Sequence, residues 1–240
     1  MLVRILLAII FLVPVAPASA MTVSPVHVEL LSAGNRNRSQ ISVINNSDRP
    51  LPVEALLMEV SLDESGRVRT SKAGEDFLIM PPQAMIPAHS TQNFRIQWLG
   101  NPLIDTSRSY ILYFSQVPVQ HARKLASVQV VMSVGVMINV APPRGTPSLD
   151  VEAASIAEQA GQRRPVITVR NPTKIHAQLR ETTIHLERGR WSMSLTPAHI
   201  EQLVGIGLVQ PGHRRRFILP VDVPTGAGAL RVRVETSARR

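Results

Sequence analysis

One stretch constrains the fold more than any other: Ala126-Ser-Val-Gln-Val-Val-Met-Ser-Val-Gly-Val-Met-Ile-Asn-Val140. Every even position from Val128 to Ile138 is apolar, namely Val128, Val130, Met132, Val134, Val136 and Ile138. The odd positions mix Gln129, Val131, Ser133, Gly135, Met137 and Asn139. Side chains alternate across a strand, so the spacing predicts one long strand with an uninterrupted apolar face. Its β-branched content disfavours a helix. Pro142-Pro143 ends it, because proline cannot donate to a ladder. Two readings stay open at this point. The strand is an ordinary core strand, or it is an edge that lends itself to a partner.

The start of the chain reads as an export signal. Arg4 is followed by an apolar run from Ile5 to Val13, too short to span a bilayer. Ala18-Ser19-Ala20 fits the small-x-small cleavage rule, so residues 1–20 are expected to be removed and the mature chain to begin at Met21 in the periplasm. The chain has no cysteine, which excludes disulfides, thiol catalysis and Cys-type metal sites.

The net charge is +9, but the basic residues are spread along the chain and aromatics make up only 4%. Nucleic-acid binding needs a concentrated basic patch with stacking rings, so no nucleic-acid partner is expected. An enzyme reading finds little support. The seven histidines show neither His-x-x-x-His nor His-Glu-x-x-His spacing, and there is no Gly-x-Ser-x-Gly elbow. No cofactor and no metal site is expected.

The rest reads as β throughout. Seven strands are expected in the first half: Thr22–Leu31, Arg38–Asn45, Leu51–Val60, Phe77–Met80, Thr91–Trp98, Ser109–Val117 and Ala126–Val140. That spacing suits an immunoglobulin-like sandwich. Three prolines and a glycine in Ala141-Pro-Pro-Arg-Gly-Thr-Pro147 mark a stiff linker. Beyond it, strands are expected around Val166–Asn171, Ala177–Leu186, Arg216–Val221 and Ala229–Val234, with Thr196–Val204 either a short helix or a loop. The predicted organisation is a signal at 1–20, a first domain at 21–141, a linker at 142–147 and a second domain at 148–240. The fold class is all-β, with two β-sandwich domains.

An ordered set of phrases carries a family resemblance. They are Ser24-Pro-Val-His-Val-Glu-Leu30, Ile41-Ser-Val-Ile-Asn-Asn-Ser-Asp-Arg-Pro-Leu-Pro-Val53, Phe77-Leu-Ile-Met-Pro-Pro-Gln83 and Ile86-Pro-Ala-His-Ser-Thr-Gln-Asn-Phe-Arg-Ile-Gln-Trp98. Ser109-Tyr-Ile-Leu-Tyr-Phe-Ser-Gln-Val-Pro118, Asn171-Pro-Thr-Lys-Ile-His-Ala-Gln-Leu179 and Val209-Gln-Pro-Gly-His-Arg-Arg-Arg-Phe217 complete it. Together they resemble the periplasmic chaperones of the chaperone–usher pathway, the PapD-like pilus assembly chaperones. The resemblance implies two immunoglobulin-like domains set at an angle, with Ala126–Val140 as the last strand of the first.

In such proteins that strand completes a pilin or fimbrial subunit lacking its own final strand, and the subunit passes to an outer-membrane usher. The resemblance therefore assigns Val128, Val130, Met132 and Val134 to the subunit groove. At about 1.5–3 kcal/mol for each buried side chain, these four supply roughly 6–12 kcal/mol gross, much of it lost to ordering. Val136 and Ile138 would face the domain's own core, and Arg123-Lys124 would act as charged gatekeepers. The family grips the subunit's terminal carboxylate with an arginine and a lysine, whose matching positions here are His27 and Met137. Arg95 and His27 are the candidate replacements. A rival expectation is a structural or adhesive envelope protein that self-associates through the same strand.

Overall fold

The computed structural model describes residues 21–118, 131–159, 161–226 and 228–236. Ten strands form the first half: β1 (Met21–Ser24), β2 (His27–Leu31), β3 (Arg38–Asn45), β4 (Leu51–Leu62), β5 (Val68–Lys72), β6 (Phe77–Met80), β7 (Gln83–Ile86), β8 (Thr91–Trp98), β9 (Arg108–Gln116) and β10 (Ser133–Ala141). They make two facing sheets, one ordered β1-β3-β8-β6 and the other β2-β10-β9-β4-β5 with β7 also on β4. Alternate residues fill the space between: Ile41 and Val43 from β3, Phe94, Ile96 and Trp98 from β8, Tyr110, Leu112 and Phe114 from β9, and Val136, Ile138 and Val140 from β10. Edge-to-face ring pairs such as Phe94–Phe114, with centroids 4.8 Å apart, lock this packing.

The expected strand Thr22–Leu31 is two strands in two different sheets. β1 pairs antiparallel with β3, whereas β2 pairs parallel with β10. Pro25 sits at the break, where it has no N–H to offer a ladder. Within the expected Ala126–Val140, the described strand is Ser133–Ala141, and residues 119–130 lie outside the described residues. β5 and β7 were not foreseen. Both are short, and β5 is exposed along its whole length, so no apolar alternation marks it.

The second half holds β11 (Asp150–Gln159), β12 (Gln162–Arg170), β13 (Ala177–Gln178), β14 (Thr182–Arg188), β15 (Trp191–Leu195), α1 (Pro197–Val204), β16 (Leu208–Val209), β17 (Arg214–Ile218) and β18 (Arg231–Thr236). Its sheets are β11-β12-β17, β13-β16 and β15-β14-β18 around a separate core that includes Ile167, Val169, Leu179, Ile184, Leu186 and Ile200. The expected strand Ala177–Leu186 is interrupted by a 3-10 turn at Leu179–Glu181. The undecided stretch Thr196–Val204 is a helix: Thr196 caps it, accepting from the His199 amide, and Pro197 stands in the first turn where its missing N–H costs nothing.

The two halves repeat one device. Asn45 ends β3 and Asn171 follows β12, and both side chains are almost fully buried. In each, Oδ1 accepts from the amide and hydroxyl of the residue two places on, Ser47 or Thr173. In each, Nδ2 donates to the carbonyl four places on, Arg49 or Ile175, and to a carbonyl on a distant segment, Ile86 or Val209. The carboxamide gives buried backbone groups at the end of the sandwich a hydrogen-bond partner.

Candidate functional site

The register of β10 defines the site. On one side it pairs antiparallel with β9 from Ser133 to Val140, and the Gln116 amide extends that ladder to the Met132 carbonyl. On the other side it pairs with β2 only from Met137 onward, where the Met137 amide donates to the Val26 carbonyl at 3.0 Å. Ladder groups alternate in direction, so the amides and carbonyls of Ser133 and Gly135 point the same way as those of Met137. No described strand meets them there. Among the described residues the N-terminal half of β10 is an open edge.

The even side chains of β10 share one face. Val136, Ile138 and Val140 are fully buried in the first core. Met132 and Val134 pack against that core but are only partly buried, so the apolar stripe emerges from the sandwich where the edge opens. Val128 and Val130, assigned to the same stripe by the sequence, lie outside the described residues, as do Arg123 and Lys124.

The two candidate anchors are not brought together. Arg95 stands exposed on β8 between the fully buried Phe94 and Ile96, so it points away from the core on the outer face of the sheet opposite β10. His27 stands directly beside Met137 in the parallel pairing, on the outer face of the other sheet. There the second half packs against it. Met137 and Ile111 join Val60, Leu62, Leu208 and Ile206 in an apolar cluster at the joint.

Glu29 is the polar centre of that joint. Its carboxylate accepts from His176 Nε2 at 2.7 Å, Asn139 Nδ2 at 3.0 Å, Gln178 Nε2 and His27 Nε2 at 2.9 Å. Burial pushes the carboxyl up, but the hydrogen bonds from His176 and His27 and the charge attraction of His176 outweigh it and hold Glu29 far below the usual glutamate range. Arg180 completes the group. Its Nη2 donates to His27 Nδ1 at 3.0 Å, its Nε to Gln178 Oε1 at 2.8 Å, and its Nη1 to Glu201 Oε1 at 3.0 Å. Arginine can only donate, so His27 Nδ1 must accept. His27 Nε2 faces Glu29 Oε1 at 2.9 Å and Asn139 Nδ2 at 3.1 Å.

Other bonds fix the same joint. Gln210 reads the edge of β4, accepting from the Leu62 amide and donating to the Val60 carbonyl, both at 2.8 Å. The Ser107 amide donates to the Lys174 carbonyl, and the Arg216 amide to the Glu64 carbonyl.

Sequence reasoning named His27 but missed Glu29, His176, Gln178 and Arg180. The alternation His27-Val28-Glu29 puts two polar groups on one strand face, and that much was visible. Their partners lie about 150 positions away, as in the separation of 147 between Glu29 and His176, and no local spacing reports such a contact.

Comparison with known proteins agrees with this geometry. The family model for pili and flagellar-assembly chaperones, PapD N-terminal domain, matches residues 20–144. No curated protein matches the chain by sequence. Among solved structures, the Salmonella enterica SafA pilin–SafB chaperone complex is 15% identical, with a TM-score of 0.54, covering 85% of this chain and 86% of that one. The CsuC–CsuE chaperone–tip adhesion subunit complex of Acinetobacter baumannii is 12% identical, with a TM-score of 0.52, covering 83% and 90%. The Pseudomonas aeruginosa CupB2 chaperone is 16% identical, with a TM-score of 0.50, covering 90% and 92%. These likenesses establish the shared fold of two immunoglobulin-like sandwiches. The matched model spans more than half of the 240 residues and takes in β10 with its open edge, so the chain belongs to the family of pili and flagellar-assembly chaperones.

Proposed function

We propose that this chain is a periplasmic chaperone that binds pilin-type subunits by lending them the N-terminal half of β10, and that it passes them to an outer-membrane usher. The open edge from Ser133 to Gly135 carries the reading: it offers backbone groups that no described strand pairs, beside the partly buried Met132 and Val134. Val128 and Val130 would extend the same stripe into the subunit. Lending a strand requires no bond to be made or broken, and the chain acts without catalysis in this reading. Release follows when another subunit's strand replaces β10.

His27 sits at the anchor position but is already engaged by Glu29 and Arg180. A subunit carboxylate reaching His27 would meet Arg180 beside it, whose Nη2 lies 3.0 Å from His27 Nδ1, whereas Arg95 lies on the outer face of the opposite sheet. Solved complexes of a pilin or a tip subunit with a chaperone of this fold support the choice of partner.

The test is tagged purification of the exported chain from its own periplasm, with mass spectrometry of what co-elutes. A small exported β-rich protein in near-equal amount is expected, and Met132→Asp should lose it while the circular dichroism spectrum stays unchanged. A constant oligomer of the chain alone by light scattering, indifferent to Met132→Asp, would sink the proposal and favour a self-associating envelope protein.

A further inference from the structure

At the other end of the joint, the turn after β4 faces β17 across a cavity of about 440 Å³. Ser65 lines it from the first half, and Val204, Gly207, Leu208, Arg215, Arg216, Phe217 and Ile218 line it from the second. Arg215 is clamped there. Its Nη1 donates to the Leu208 carbonyl at 2.7 Å, and its guanidinium lies over the Phe217 ring, 5.0 Å from the centroid. Its Nη2 lies against Gly66, where a Cβ would stand 2.4 Å away. The Nε is buried and has no hydrogen-bond partner.

The charge of Asp63 reaches this cation, but no carboxylate closes an ion pair with it among the described residues. Among the described residues neither Arg215 nor Arg216 has an ion pair, whereas their neighbour Arg214 pairs with Glu152 at 3.3 Å. The acids of the facing turn are otherwise placed. Asp63 Oδ1 accepts from Ser65 Oγ at 2.7 Å and from the Arg67 amide at 2.9 Å. Glu64 is exposed and gives Arg216 its backbone carbonyl. A half-buried guanidinium without a direct ion pair is costly to keep, and its desolvation depresses its basicity more than the charge of Asp63 restores it.

We infer that this cavity binds a small organic anion, a single carboxylate on a short apolar stem. Arg215 and Arg216 both line the cavity, and a guanidinium suits a carboxylate's two oxygens. Arg216 adds a second positive charge, while Val204, Leu208, Phe217 and Ile218 receive the stem. The cavity is of small-ligand size. The assignment stands apart from strand lending, because β10 contributes nothing to it. A ligand here touches both halves and stiffens their angle.

Titration calorimetry of the mature chain with hexanoate and with N-acetyl-leucine tests it, the two acids separating a free aliphatic acid from a peptide-like one. One-to-one binding of at least one acid is expected, with a Kd of about 1 mM or tighter, and no heat from hexan-1-ol or hexylamine. Arg215→Gln should weaken binding by about tenfold or more. Because that change also touches the joint, Ile218→Glu on the exposed rim serves as a second variant and should weaken it similarly by repulsion. Absence of binding by both acids, equal binding of hexan-1-ol, or acid binding that survives both variants would overturn the inference.

Discussion

Glu29 Oε2 lies 2.7 Å from His176 Nε2, a bond between the first half of the chain and the second. His176 is fully buried, and Asn139, Gln178 and His27 donate to the same carboxylate. A carboxylate held by this many donors fixes direction as well as distance, and with Gln210 and the apolar cluster it sets how the two halves meet.

The joint makes stability depend on acid. The native Glu29 carboxyl is held below the usual glutamate range, so the unfolded chain binds its proton first as pH falls. The contribution is fully present above the unfolded-state pKa, about 4.3. It declines from there toward the lower native value. Glu29→Gln should cost about 3 kcal/mol at neutral pH, the scale for breaking a buried charged contact. Urea denaturation from pH 7 to pH 3 should show the wild-type advantage shrinking below about pH 5. A difference independent of pH would remove Glu29 from this role.

Gln210 makes a second prediction at the same joint. It accepts from the Leu62 amide and donates to the Val60 carbonyl across the boundary. Gln210→Ala leaves both backbone groups buried and unpaired, at about 1–3 kcal/mol each. Hydrogen exchange at the Leu62 amide should accelerate, while exchange in β3 and β8 stays as it was.

What the sequence revealed follows from the range of the interactions. The inward pair Val136 and Ile138 was legible because a strand's own alternation declares its buried face. So was the sandwich class, from short alternating runs and turn residues. The break at Pro25 was missed, although proline itself advertises it, because the apolar pattern runs on across the switch between sheets. β11 was missed because Val151-Glu-Ala-Ala-Ser-Ile-Ala157 carries little β-branched content, and it becomes a strand by pairing with β12. The polar joint was invisible because its members lie far apart in the chain. Arg95 attracted attention by its chemistry alone, and chemistry does not say which face of which sheet a residue occupies.

The paired asparagines predict separable damage. Asn45→Ala strips partners from the Arg49, Ile86 and Pro87 carbonyls, and Asn171→Ala strips them from the Ile175 and Val209 carbonyls. Each should cost about 2–4 kcal/mol, since several buried groups go unpaired together. The chain has two tryptophans, Trp98 packed in the first core and Trp191 against the second. In variants keeping one tryptophan each, Asn45→Ala should move the Trp98 transition more and Asn171→Ala the Trp191 transition more. Equal shifts at both probes would mean that the halves unfold as one unit.

The open edge of β10 can be tested apart from its side chains. The Gly135 amide points away from β9, on the side where Met137 meets Val26. Gly135→Pro therefore deletes a donor on the free edge and leaves the β9 ladder bonded, a place where a strand tolerates proline. The ring would press on Ile111, whose Cδ1 stands 2.7 Å from a Cβ at this position, and that flexible end can give way at small cost. Val136→Ala is the contrasting change, because Val136 is fully buried in the chaperone's own core. It should lower stability by about 2 kcal/mol while leaving the edge intact. Measured side by side, Gly135→Pro should keep near-normal stability and lose subunit capture, whereas Val136→Ala should lose stability and keep capture. If both variants captured subunit equally well, pairing along this edge would not be the means of binding.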